Sequence, residues 1–164
     1  MDILERLLRY DAWTTHHLLN RCCELTVEQL RQPFDVGHGT LLATCEHLIH
    51  NVEVWTGLMN GQSEFAHSSS SHLAELIARF EAASTEFGKL ARRLTAENRL
   101  DELWTDVLDK PPTQKTYGGA IAHVLTHNHA HRTEILHMLE RLGLTNLIEG
   151  DVLSWEKQSR QTGV

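Results

Sequence analysis

A chain of 164 residues with 41% hydrophobic and 23% charged side chains carries enough apolar surface to fold as one ordinary domain, here taken as residues 1–164, and is too apolar for a disordered chain. The formal net charge of −7 opposes a phosphate backbone and excludes direct nucleic-acid binding, which rests on clustered Lys and Arg. No uncharged run is long enough to span a bilayer, and Asp2, Glu5, Arg6 and Arg9 interrupt the first residues where a secretory signal would be continuously apolar, so the expected location is cytoplasmic.

The first predicted helix covers about residues 3–25, with Ile3, Leu7, Tyr10, Trp13, Leu18 and Cys22 near helical spacing and Asp2 placed to cap its start. Residues 26–30 add a short turn. Cys22 and Cys23 fall at the end of this segment and Cys45 in the next; three cysteines without a C-x-x-C pair read as small buried hydrophobes in a reducing compartment. After a break over residues 32–39, the second helix covers about residues 40–60, with Leu41, Leu48, Val52, Trp55 and Met59 on one stripe and Gly61 ending it. A polar stretch over residues 61–71 makes a long connection to the third helix, which Ser71 or a neighbour caps and which carries Leu73, Leu76, Ile77, Phe80, Phe87, Leu90 and Leu94. Residues 103–108 fit a short extended piece. The fourth helix runs over about residues 117–142 and stops at Leu142-Gly143-Leu144, a glycine C-cap with its hydrophobic contact. Leu147, Ile148, Val152, Leu153 and Trp155 predict that the tail packs back on the body, with frayed last residues. Four long amphipathic helices make an all-α four-helix bundle.

Twelve histidines are many for this length, and His123, His127, His129, His131 and His137 all fall on the fourth helix. Residues four apart on a helix lie one above the other, so His123, His127 and His131 form a ladder. Ala120, Val124, Ile135, Met138 and Leu142 mark the inward stripe; His127 and His131 fall in its gap, His123 lies to one side, and His129 and His137 face away. Two imidazoles on successive turns can reach one metal ion, but a stable site needs a third protein ligand. His47 is the best-placed candidate, because Thr44, His47, Asn51, Trp55 and Leu58 form a second stripe beside the core face; His50 points farther off. One of His16 and His17 remains a possible neighbour of the site. His38, His67 and His72 lie in or near loops and read as solvated, and Trp13, Trp55 and Met138 as core. Taken alone, a histidine in a bundle is usually a hydrogen-bonded core or surface residue rather than a metal ligand.

Other metal arrangements fail on the letters. There is no H-E-x-x-H, and the di-iron bundle's E-x-x-H occurs only once, at Glu134 to His137, where two copies are needed.

Tyr10-Asp11-Ala12-Trp13, the segment from Leu41 through His47 to Trp55, and His127-Asn128-His129-Ala130-His131-Arg132 leading to Gly143-Leu144 together resemble the DinB-like family of metal-binding helical bundles, related to thiol-dependent S-transferases and mycothiol-dependent maleylpyruvate isomerase. The resemblance covers most of the chain. It implies a four-helix bundle, often a homodimer, with a divalent metal ion on His47, His127 and His131, leaving the ion open to a small molecule. Three imidazoles accept Zn or Ni, and also Fe, Mn or Co. The implied activity is a metal-dependent transferase that activates a low-molecular-weight thiol; a metal-dependent hydrolase and a non-catalytic, stress-related binding or interaction bundle are the alternatives. One departure stands out. Where the family often has Gly-Gln after His-Arg, this chain has Thr133-Glu134, so Glu134 is read as a group supporting a ligand, an added ligand, or a solvated helix residue.

Overall fold

The computed structural model describes residues 1–65 and 72–162. Its order is α1 (Ile3–Cys22), α2 (Val27–Leu30), α3 (Leu41–Met59), α4 (Leu73–Ala96), β1 (Leu103–Asp106), β2 (Thr113–Thr116), α5 (Tyr117–Arg141) and α6 (Val152–Thr162). The all-α bundle is therefore observed, with one small hairpin added. Among the described residues no helix is long and apolar enough to cross a membrane.

Helix starts follow side-chain capping, which satisfies amide groups that have no partner within the helix. Asp2 accepts from the Glu5 amide at 2.7 Å, Thr40 from Ala43 at 3.1 Å and Thr116 from Gly119 at 3.1 Å. The first helix ends at Cys22 rather than continuing through residue 25, because Thr26 and Gln29 form a reciprocal capping box that starts α2. Ser71 and His67 lie outside the described residues; the residue at the start of α4 is His72, whose side chain makes no capping bond. At the end of α5, Gly143 takes φ +89°, and the amides of Gly143 and Leu144 donate to Glu140 and Leu139. This closes the last turn as the Leu-Gly-Leu pattern predicts.

α1 and α3 each pack against α4 and α5, so the pairs sit at opposite corners. Both connections from α1 to α3 and from α4 to α5 must then cross a diagonal, and each is elaborated. The first holds α2 and the loop over residues 31–40. The second holds the hairpin, in which Leu103 pairs with Thr116 and Asp106 with Thr113; Trp104 and Asp106 turn inward and Leu103 and Thr105 outward. The extended piece stops at Asp106, shorter than the six residues its letters allow.

The core forms two clusters. One joins Leu18, Leu41, Leu48, Leu76, Phe80, Ile135 and Met138; the other joins Leu8, Val52, Phe87, Leu94, Trp104 and Val124. Cys22 and Cys45 are buried as expected, whereas Cys23 is exposed. The tail packs back through Leu147 and Ile148 against the first cluster and Trp155, 5% exposed beside Tyr10, whereas Leu153 faces solvent on a helix that its spacing had not announced.

Candidate metal centre

Between α3 and α5, the line of fully buried residues on α5 is Ala120, Ile121, Val124, Asn128, Arg132, Ile135, Met138 and Leu139. Asn128 and Arg132 occupy the centre of the gap in the apolar stripe and turn to α1. There Arg132 Nη1 donates to Asp11 Oδ1 and Thr15 Oγ1, and Asn128 donates to Asp11 Oδ2 at 3.1 Å. His127 and His131 sit one residue earlier on each turn and are half-buried, facing α3.

There they meet His47. His127 Nε2 lies 3.2 Å from His47 Nε2 and 3.2 Å from His131 Nε2. Two imidazole nitrogens bound tetrahedrally to one ion, each about 2.0–2.1 Å from it, stand about 3.3 Å apart. The spacing therefore matches that of ligands around a single cation. Hydrogen bonding alone accounts for it poorly, since His127 Nε2 carries at most one proton and cannot donate to both neighbours.

Burial pushes the His47 and His127 imidazoles down to about 4, and the neighbouring histidines add to the shift: His38 and His131 around His47, His131 and His47 around His127. Both rings are thus neutral near pH 7, the form a metal requires. Glu134 Oε2 accepts from His131 Nδ1 at 2.6 Å. That bond fixes the tautomer that leaves the His131 Nε2 lone pair facing the other two rings. His127 has no such support; its Nδ1 is buried without a partner.

A fourth ring belongs to the cluster. His38 is exposed and in a loop, as expected, but it is not merely solvated. Its ring stacks on His47 with centroids 3.7 Å apart and planes 24° apart, and it lies 5.3 Å from the His131 ring. His38, His47 and His131 offer nitrogens all within 4.8 Å of one another. The one available signal was the flanking pair of glycines, Gly37 and Gly39, both at positive φ.

The other histidines divide as follows. His16 reaches Glu81 at 3.0 Å and His17 stacks on Trp13, so neither joins the site, because α1 stands at the corner opposite α3. His50 lies 3.7 Å from Glu53. His129 faces away, where Nδ1 is 3.0 Å from the Tyr10 hydroxyl; that hydroxyl donates to the Gly150 carbonyl, so His129 Nδ1 is the donor. His123 packs on Trp55 at 4.7 Å and His127 at 5.6 Å, and Trp55, half-buried rather than core, touches Trp104 and has the Lys115 ammonium 5.0 Å from its ring centre.

No curated protein matches the chain. Among solved structures it is similar to a DinB-like protein from Bacillus cereus ATCC 10987, with a TM-score of 0.64 and 19% identity over 84% of this chain and 89% of that one, a likeness of fold. The family model described as the DinB family matches residues 1–160, nearly the whole bundle together with all four clustered histidines. The chain belongs to the DinB family.

Proposed function

We propose that the chain binds one divalent cation through His47, His127 and His131 and uses it to activate a low-molecular-weight thiol for transfer. The observation that carries this reading is the pair of 3.2 Å separations that set His47 Nε2 and His131 Nε2 each against His127 Nε2, with nitrogens of His47 and His131 within 4.8 Å of each other. When bound, the ion supplies Lewis-acid character and lowers the pKa of a thiol delivered to it.

The chain's own part is to present neutral donors in fixed positions. Packing holds His47 and His127 uncharged, and Glu134 holds His131 with its Nε2 lone pair inward. Three neutral imidazoles leave the cation's charge uncompensated, which favours an anionic sulfur over a neutral ligand. Glu134 is already engaged by His131, and this leaves it a poor proton shuttle for the hydrolytic alternative.

The test is elemental analysis of tag-free protein, followed by Co²⁺ substitution. The expected result is one ion per chain, lost in the His47→Ala/His127→Ala double variant, and a Co²⁺ absorption spectrum that shifts on addition of a small thiol. Metal uptake untouched by the double substitution overturns the ligand set. A spectrum indifferent to thiol, with the ion bound, removes the transferase reading and leaves the non-catalytic one.

A further inference from the structure

The loop over residues 31–40 does more than join α2 to α3. Its Phe34 and Val36 side chains pack on the first core cluster, the Phe34 amide donates to the Gly39 carbonyl at 2.8 Å, and Asp35 pairs with Arg141 at 2.6 Å. Arg141 in turn lies over the Phe34 ring. At its tip Gly37 takes φ +62°, and a side chain there would meet Thr44 Oγ1 at 2.6 Å and Met138 Cε at 2.8 Å. The backbone is thus pressed into the mouth of the α3–α5 gap. The next residue is His38, whose amide donates to Thr44 Oγ1 at 3.0 Å. Thr44 lies one turn before His47, so the same helix that presents His47 also anchors the backbone of His38.

The result is an imidazole that is exposed to solvent yet placed on the histidine cluster, with a nitrogen within 4.8 Å of nitrogens on both His47 and His131. We infer that His38 is a fourth, displaceable protein ligand, which closes the cation's open position when no substrate is present and yields it to an incoming thiol. Reaching a ligand spacing of about 3.3 Å from His47 and His131 asks His38 to tip its ring out of its stack on His47. An exposed side chain is free to make that rotation, while the three half-buried histidines are held by packing. The asymmetry sets which ligand leaves. A ligand on the protein's surface can be exchanged without opening the core, and the loop backbone stays anchored while the ring swings.

This inference rests on the three-histidine reading, and the experiment separates the two. Tag-free full-length protein loaded with Co²⁺ is compared with His38→Ala, counting the contact-shifted imidazole C–H protons by NMR and measuring Co²⁺ affinity by chelator competition. Four imidazole sets in the parent, three in His38→Ala, unchanged one-to-one stoichiometry and an affinity lowered about tenfold or more support it. Titration of the parent with 2-mercaptoethanol then removes the fourth set as a sulfur-to-cobalt charge-transfer band appears. Three sets in both proteins with equal affinity overturn the role of His38 and leave the other three intact. A fourth set that persists at saturating thiol overturns its displacement. Failure of His47→Ala/His127→Ala to lose Co²⁺ overturns the underlying site instead.

Discussion

Arg132 is 1% exposed and is the largest fully buried side chain among the described residues. It bonds Asp11, itself buried, and lies 4.8 Å from the Tyr10 ring centre. Burial pushes the Asp11 carboxyl up, and the adjacent guanidinium opposes that shift. Removing one member of such a pair leaves an uncompensated buried charge, so Arg132→Met should destabilise the fold by about 3–5 kcal/mol in urea melts, and the Asp11→Leu/Arg132→Met double variant should recover part of that loss. The consequence reaches the histidine cluster, since Arg132 follows His131 and its buried pairing with Asp11 holds that turn of α5 against α1. Glu134 acts at shorter range. With its bond to His131 Nδ1 at 2.6 Å, Glu134→Ala should weaken metal affinity about 10–100-fold in chelator competition while leaving the melting temperature of metal-free protein nearly unchanged, because the side chain is partly exposed.

At the scale of elements, the loop entering α3 fits its surroundings closely at Gly37. Gly37→Ala adds a Cβ where φ is +62° and Thr44 Oγ1 stands at 2.6 Å, so it should cost about 1–3 kcal/mol and should disturb His38 more than His47. Loss of the His38 signal in the Co²⁺ spectrum with the other three retained would be the check. The helices themselves were legible in the letters: Asp2, Gly61 and Leu142-Gly143-Leu144 mark three of their ends, and apolar spacing marks their buried faces. The loop was not. A stretch such as Asp35-Val36-Gly37-His38-Gly39 has no periodicity, and its conformation is dictated by what it lands on, here Thr44 and Met138. The hairpin was half visible for the same reason. β1 alternates inward and outward residues, but β2, Thr-Gln-Lys-Thr, has no apolar face and takes its place by pairing with β1.

For the molecule as a whole, the corners of the bundle are joined by surface ion pairs as well as by the core. Glu5 on α1 accepts from Arg92 on α4 at 2.7 Å and from Arg9 at 2.6 Å, and these guanidinium groups, Arg92 foremost, hold its carboxyl down to about 2 from the ordinary 4.5. A depressed carboxyl stabilises the fold above its unfolded-state pKa, and that contribution fades as pH falls from 4.5 towards 2. Because the group lies at the surface, the effect should be less than about 1 kcal/mol, read as a shallower acid limb in the pH dependence of stability for Glu5→Gln and as a loss of the difference in high salt.

What the sequence by itself determined is whatever repeats along one segment: the four long helices, the Asp2 cap and the Gly143 stop, and the placing of His127 and His131 on one face of α5. Periodicity is a property of neighbours within a helix, and it needs no knowledge of the partner. Which histidines meet across the bundle is a different matter. It follows from α3 lying beside α5 and α1 lying diagonally opposite α3, which brings His47 to His127 and His131 and sends His16 and His17 elsewhere. His38 came from the tertiary structure, because the packing of its loop on Thr44 and Met138 brings an aperiodic, exposed residue onto the cluster.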